Sequence, residues 1–140
     1  MSTLERAIEI ATKAHDGQTD KSGMPYIGHI MRVMNAGKTI DEKIVGVLHD
    51  IVEDTEWSFD ALLKEGFPIH IVDAVKCVTR LTNDEPYEDF IRRIKENSLA
   101  TAVKINDLTD NMDIRRLKEI SDKDVKRLKK YHRAYKFLIE

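Results

Sequence analysis

The sequence predicts an all-α fold, a compact bundle of about seven or eight helices. Three observations carry this. Apolar residues recur at helical spacing along the chain, first at Leu4, Ile8 and Ala11. Capping and stop signals divide that periodicity into ordinary helix lengths. No segment shows the strict apolar–polar alternation of a half-buried strand.

Each element has its own signals. "STLE" at Ser2–Glu5 has the form of a capping box and opens the first helix. "DGQTDKSGMP" is rich in Gly and polar residues and reads as a loop. "YIGHIMRVMNAG" predicts a second helix that ends near Gly37. Residues 41–54 predict a third. Another starts at Ser58 and stops at Gly66, and Pro68 suits the beginning of the next, "IHIVDAVKCVTRL". "TNDEP" is a turn. Residues 87–97 and 99–118 read as two more helices. "SDKD" from Ser121 resembles a cap for the last one, with Val125, Leu128, Tyr135 and Leu138 on its inner side.

Composition narrows the function classes. A length of 140 residues fits one domain spanning 1–140. With 41% hydrophobic and 34% charged residues, the chain can bury a core and stay soluble. The net charge is −2 with no basic block, which argues against duplex nucleic acid as a partner, because phosphate neutralisation needs clustered Lys and Arg. The single Cys77 excludes an internal disulfide framework and a multi-cysteine zinc site, and fits a reducing, cytoplasmic setting. No apolar run reaches the roughly 18–20 residues of a membrane span, and the N-terminus lacks the form of a signal peptide. No membrane partner is expected; oligomeric state is not readable.

The stretch "LHDIVEDTEW", residues 48–57, departs from an ordinary buried helix. On a helical wheel Ile44, Val47, Leu48, Ile51 and Val52 form the core stripe. Gly46, His49, Asp50, Glu53 and Asp54 fall opposite. Glu53 follows His49 by four residues and Asp54 follows Asp50 by four, so their side chains converge. Crowded carboxylates repel unless a cation or proton intervenes. Taken alone, the cluster also fits a solvated acidic face. An imidazole among carboxylates suits a divalent metal such as Mn, Fe or Zn, but two ligands do not complete a site. Two further places offer donors: His29 in "PYIGHIMRV", which alone also fits a core or surface histidine, and Asp107 in "VKINDLTDNMD". Lys104, Asp107, Asn111 and Arg115 form one polar stripe on an otherwise apolar helix, which places that stripe on a solvated face or on a cleft.

His29, then His49-Asp50, then Asp107 resembles the H…HD…D pattern of the HD-domain metal-dependent phosphohydrolases. The resemblance is closer to the (p)ppGpp hydrolase domain of the RelA/SpoT proteins and its small stand-alone relatives. It is carried by "AHDGQTDKSGMPYIGHIMRV", "LHDIVEDT", "VKINDLTDNMD" and "RLKKYHRAYKFL". The dipeptide HD alone is weak; "GMPYIGH" with "LHDIVEDT" is far more specific. The resemblance implies that His29, His49, Asp50 and Asp107 bind one divalent metal, Mn²⁺ foremost, with Zn²⁺, Fe²⁺, Co²⁺ or Ni²⁺ as alternatives. It implies Glu53 and Asp54 as the catalytic acidic pair; from this helix either can reach a metal-bound water, and Glu53 is expected to handle the proton with Asp54 assisting. It implies Lys21, Asn111 and Tyr131 as contacts to a phosphorylated nucleotide; Lys104, one helical turn before Asp107, is placed to reach the same cleft, and Arg80, Arg92 and Arg93 are further candidates. His15 takes a structural or supporting role, and Trp57 and Phe59 pack helices.

Several positions depart from the pattern. Ile30 follows His29 where the family usually has Pro. Thr19 and Asp20 stand at positions that are often basic. Leu108 and Asp110 replace the Arg and His of "ADRLHN". None removes an implied ligand, but all bear on substrate. The expected activity is hydrolysis of the 3′-pyrophosphate of ppGpp and pppGpp by metal-activated water, without a synthetase domain. The alternatives are an HD phosphatase acting on another nucleotide or dinucleotide phosphate monoester, and a non-catalytic nucleotide-binding module.

Overall fold

The computed structural model describes residues 3–140. Among them the elements run α1 (Thr3–Ala14), α2 (Ile27–Ala36), α3 (Ile40–Leu48), α4 (Ile51–Asp54), α5 (Phe59–Lys64), α6 (Ile69–Val78), α7 (Tyr87–Lys95), α8 (Ser98–Asn111), a 3₁₀ turn (Ile114–Arg116) and α9 (Asp122–Leu138). The described residues contain no strand, only an isolated bridge between Thr19 and Pro25. The all-α expectation holds. The capping box expected at Ser2 lies outside the described residues.

The helix α3 is the axis of the fold. Ile44, Val45, Gly46, Val47 and Leu48 are all buried, so its C-terminal half is covered on every side, as an apolar segment must be, while Ile40 and Asp41 at its start are exposed. It packs against α1, α2, α6 and α8. Gly46 makes the approach of α2 possible: a Cβ there would lie 3.3 Å from the Cα and N of Met34. The side chain of Thr39 caps the start of α3 by accepting from Glu42 N. The C-terminal end of α3 therefore carries His49 into the centre of the molecule, where it is buried.

Other signals act as the sequence suggests. Ser58 caps α5, and Gly66 ends that segment in the left-handed region at φ 97°. Ser121 and Asp124 form a reciprocal capping box on α9. Trp57 and Phe59 pack against the core.

Three expectations need correction. The predicted helix 41–54 breaks at His49–Asp50. In an unbroken helix Gly46 O would accept from the N–H of Asp50; it accepts the ring proton of His49 Nδ1, at 2.6 Å. Asp50 then takes φ −106°, ψ 0° before α4 begins, a conformation frequent at active sites. The predicted helix 99–118 ends at Asn111, because the Asp113 side chain accepts from Arg115 N and starts the 3₁₀ turn. Val125, placed on the inner side of the last helix, is exposed, whereas Leu138 is buried.

Candidate metal centre

Three packed elements bring four side chains to one point. His29 comes from α2, His49 and Asp50 from the break after α3, and Asp107 from the middle of α8. His29, His49 and Asp50 each offer a donor atom within 4.8 Å of the others. Asp107 Oδ1 lies 2.9 Å from His29 Nε2 and 3.3 Å from His49 Nε2. Asp50 Oδ2 lies 3.1 Å from His49 Nε2 and 3.9 Å from His29 Nε2.

Those spacings fit a single ion, since ligands with bonds of about 2.1 Å sit about 3 Å apart around it. The hydrogen bonds give a sharper test. His49 Nδ1 donates to Gly46 O, which leaves Nε2 facing the cluster. That buried Nε2 has no hydrogen-bond partner of acceptable geometry, although two carboxylates are near. A ring nitrogen without a hydrogen-bond partner, directed between two carboxylates, is the donor that a divalent ion takes once it displaces the proton. The four residues therefore fit such an ion, with two nitrogen and two oxygen donors and no thiolate.

The electrostatics agree. Burial opposes charge on Asp107, yet Lys104, His49 and His29 hold its carboxyl well below the usual range. Burial likewise opposes charge on Asp50, and His49 outweighs it to lower that carboxyl. Burial disfavours a proton on His49, but Asp50 and Asp107 raise its pKa well above 6.5. His29 is raised in the same way by Asp107 and Asp110. Without an ion, protons on the imidazoles balance the carboxylates; a dication takes over that role.

A cleft of about 370 Å³ opens beside the cluster. It is lined by Lys21, Tyr26, His29, Asn111, Arg127 and Tyr131, among others. Lys21 sits on a braced loop. Asp20 Oδ1 accepts from the N–H groups of Ser22 and Met24, and Ser22 Oγ donates to Arg116 O at 3.1 Å. Asn111 Nδ2 donates to Asp107 Oδ1 at 3.1 Å, so it touches both the cluster and the cleft. Lys104 does not line this cleft. Its Nζ lies 2.9 Å from Asp107 Oδ2 and 5.3 Å from the centre of the Phe90 ring, almost fully enclosed. Arg80 and Arg93 are occupied with the Glu85 region, and Arg92 pairs with Asp89 on the surface.

Glu53 and Asp54 lie on α4 at the solvent edge. Glu53 Oε1 accepts from Arg80 N at 2.8 Å. Partial desolvation at the protein wall, then the charges of Asp50 and Glu53, push the Asp54 carboxyl up to about 6, while His49 and His29 pull the other way. Asp54 thus feels the cluster directly.

Three further residues act here to which the sequence assigned no role in the site. Tyr26 donates its hydroxyl to Asp50 Oδ2, and burial with that carboxylate raises the phenol pKa strongly, keeping it a donor. Its position one helical turn before His29 was the available signal. Asp110 accepts from His29 Nδ1 at 2.6 Å; its spacing of three from Asp107 puts both on one helix face. Gln18 accepts from His15 Nδ1 at 2.8 Å and donates to Asp54 O at 3.1 Å, bracing the end of α4. Nothing local in the sequence pairs residue 18 with residue 54.

No family model matches the chain. Among curated proteins it is similar to a probable GTP pyrophosphokinase of Mycobacterium leprae, 32% identical over 123 residues, covering 80% of this chain and 16% of that protein. It is also similar to guanosine-3′,5′-bis(diphosphate) 3′-pyrophosphohydrolases. That of Aquifex aeolicus is 28% identical over 78% of this chain and 17% of its own length. That of Haemophilus influenzae is 31% identical over 74% and 17%. The chain thus spans about a sixth of the length of these relatives. A solved structure described as a metazoan ortholog of SpoT that hydrolyses ppGpp superposes with a TM-score of 0.82 at 19% identity, covering 100% of this chain and 86% of that one. At that identity the likeness establishes the fold.

Proposed function

We propose that this chain, an HD-type helical domain similar to the hydrolase domains of RelA/SpoT proteins, is a metal-dependent nucleotide phosphohydrolase that removes the 3′-pyrophosphate of ppGpp and pppGpp. The observation that carries this is the unpartnered, buried Nε2 of His49 set between Asp50 and Asp107 at the side of a cleft. His29, His49, Asp50 and Asp107 are the ligands in this reading. Imidazole and carboxylate donors without thiolate suit Mn²⁺. Bound there, such an ion supplies Lewis acidity to water and offsets charge on a phosphoryl oxygen.

The protein's own groups do the rest. Tyr26 holds Asp50 from outside the ligand set, and Lys104 neutralises and orients Asp107. Lys21 and Asn111 bind the phosphoryl groups, and Tyr131 forms the cleft wall against the sugar. Glu53 and Asp54 are the catalytic carboxylates that take the proton of the attacking water. The grip of Arg80 N on Glu53 favours Asp54 as the proton acceptor, with Glu53 assisting. Water oxygen bonds to the phosphorus attached to the ribose 3′ oxygen and that P–O bond breaks. The 3′ hydroxyl is restored on GDP or GTP, and pyrophosphate leaves.

A second reading, hydrolysis of a phosphate monoester on another nucleotide, is favoured by one observation. Of the cations lining the cleft, Arg116 already pairs with Asp110 and Asp113, and Arg127 with Asp124. Less positive charge is therefore free for a second pyrophosphate. The test is purified protein with Mn²⁺ offered ppGpp, pppGpp and a panel of nucleoside monophosphates and dinucleotide phosphates. Release of pyrophosphate with GDP supports the first reading, and orthophosphate from a monoester supports the second. No product from any member removes both.

A further inference from the structure

We infer that Asp110 is a positioning residue of the candidate metal centre: it fixes the ring of His29 and selects the nitrogen that faces the ion. This rests on the metal reading above but concerns a residue outside the ligand set. Asp110 Oδ2 accepts from His29 Nδ1 at 2.6 Å. Its other oxygen, Oδ1, accepts from Arg32 Nε at 2.7 Å and lies 3.4 Å from an Arg116 nitrogen. Arg116 also donates to the main-chain oxygen of Asp110 at 3.0 Å. The carboxylate is thus clamped, and Oδ2 is presented to the imidazole.

The consequence for His29 is definite. Its Nδ1 donates to Asp110, and Nε2 is directed at the point near Asp107 Oδ1, 2.9 Å away. His49 is pinned by a neutral carbonyl oxygen, His29 by a carboxylate. A carboxylate on the far nitrogen fixes the ring and makes the near nitrogen a stronger donor. The two imidazoles are therefore held differently, His29 by an anion and His49 by a backbone carbonyl. Arg116, which lines the cleft, ends the chain of contacts that holds it.

The test uses the full chain after chelator treatment, as wild type, Asp110→Ala and Asp110→Asn. Mn²⁺ is titrated by calorimetry, and the His29 ring nitrogens are followed by ¹⁵N NMR without metal. Expected is a downfield, exchange-protected Nδ1 proton in the wild type that is lost in Asp110→Ala. Metal affinity should fall by about 10- to 100-fold in Asp110→Ala. Asp110→Asn keeps an acceptor oxygen without the charge, and should fall between; it also carries the test if the alanine variant does not fold. An unchanged His29 ring spectrum, or Mn²⁺ affinity within twofold of wild type in the variants, overturns the assignment. If the wild type takes up no metal, the metal reading fails by itself, and the ring spectrum alone decides whether Asp110 positions His29.

Discussion

His49 Nδ1 donates to Gly46 O at 2.6 Å, three residues back along the same helix. One bond both ends α3 and fixes which nitrogen of His49 faces Asp50 and Asp107. The helix break and the candidate centre are thus the same event. Gly46 matters twice, because it also lets α2, with His29, lie close against α3. Gly46→Ala should therefore act beyond its small helix-propensity gain. The new Cβ meets backbone of Met34, so the two helices must part by a few tenths of an ångström. Stability should fall by about 1–3 kcal/mol, and Mn²⁺ affinity should fall with it. Urea unfolding and metal titration on one preparation check both. A variant as stable and as metal-avid as wild type would show that the α2–α3 approach does not set the site.

The acidic pair gives a second prediction. Glu53→Gln and Asp54→Asn each preserve shape and remove a basic carboxylate. Each should retain metal and lower kcat by about 10²-fold or more, with the larger loss at Asp54. Rate and bound metal are measured together for both variants. Full activity in both would end the catalytic assignment, and loss of metal would recast them as ligands.

The two lysines should separate cleanly. Lys21→Ala removes a cleft cation from an exposed, braced loop, so stability should stay within about 0.5 kcal/mol. Its effect should appear in KM, rising about 10-fold or more for the loss of a charge-assisted contact. Lys104→Met instead leaves Asp107 enclosed without its ammonium partner. The metal-free protein should lose on the order of 3 kcal/mol, and bound Mn²⁺ should recover part of that. Equal unfolding midpoints for wild type and Lys104→Met would contradict the placement of Lys104.

The metal-free protein should have a defined pH window. His29 and His49 are raised above 6.5, so their stabilising contribution is complete below 6.5 and lost as pH rises through the folded values. Asp50 and Asp107 are lowered from 3.8, so theirs is present above 3.8 and lost as pH falls through the folded values. Stability should peak between those limits and decline on the alkaline side, where Mn²⁺ should give its largest rise in Tm. A metal-free Tm that climbs steadily from neutral to alkaline pH would contradict the proton balance of the cluster.

Much of the fold was legible because each helix carries its own start and stop. Ser58, Pro68 and Ser121 mark beginnings that the structure keeps. The break at His49–Asp50 was not legible, because local propensity favours an unbroken helix and a side-chain bond to a backbone carbonyl wins there. The residues His29, His49, Asp50 and Asp107 stand out in sequence by type and order, and the packing of α2, α3 and α8 brings them together. Asp110 and Tyr26 act one contact further out, and their partners are set by that packing. Gln18 touches Asp54 across a distance that no periodicity spans. Lys104 shares a polar stripe with Asn111, yet only Asn111 reaches the cleft, because Phe90 and Asp107 enclose the lysine.

Hydrolysis by this chain should depend on one divalent ion held by His29, His49, Asp50 and Asp107. This is tested most directly by adding Mn²⁺ stepwise to chelator-treated protein while recording bound metal and pyrophosphate release from ppGpp in the same sample. Both should rise together and saturate at one equivalent per chain. His49→Ala and Asp107→Ala should each abolish both. Hydrolysis at the full rate in excess chelator, or unchanged metal uptake and turnover in those two variants, would contradict it.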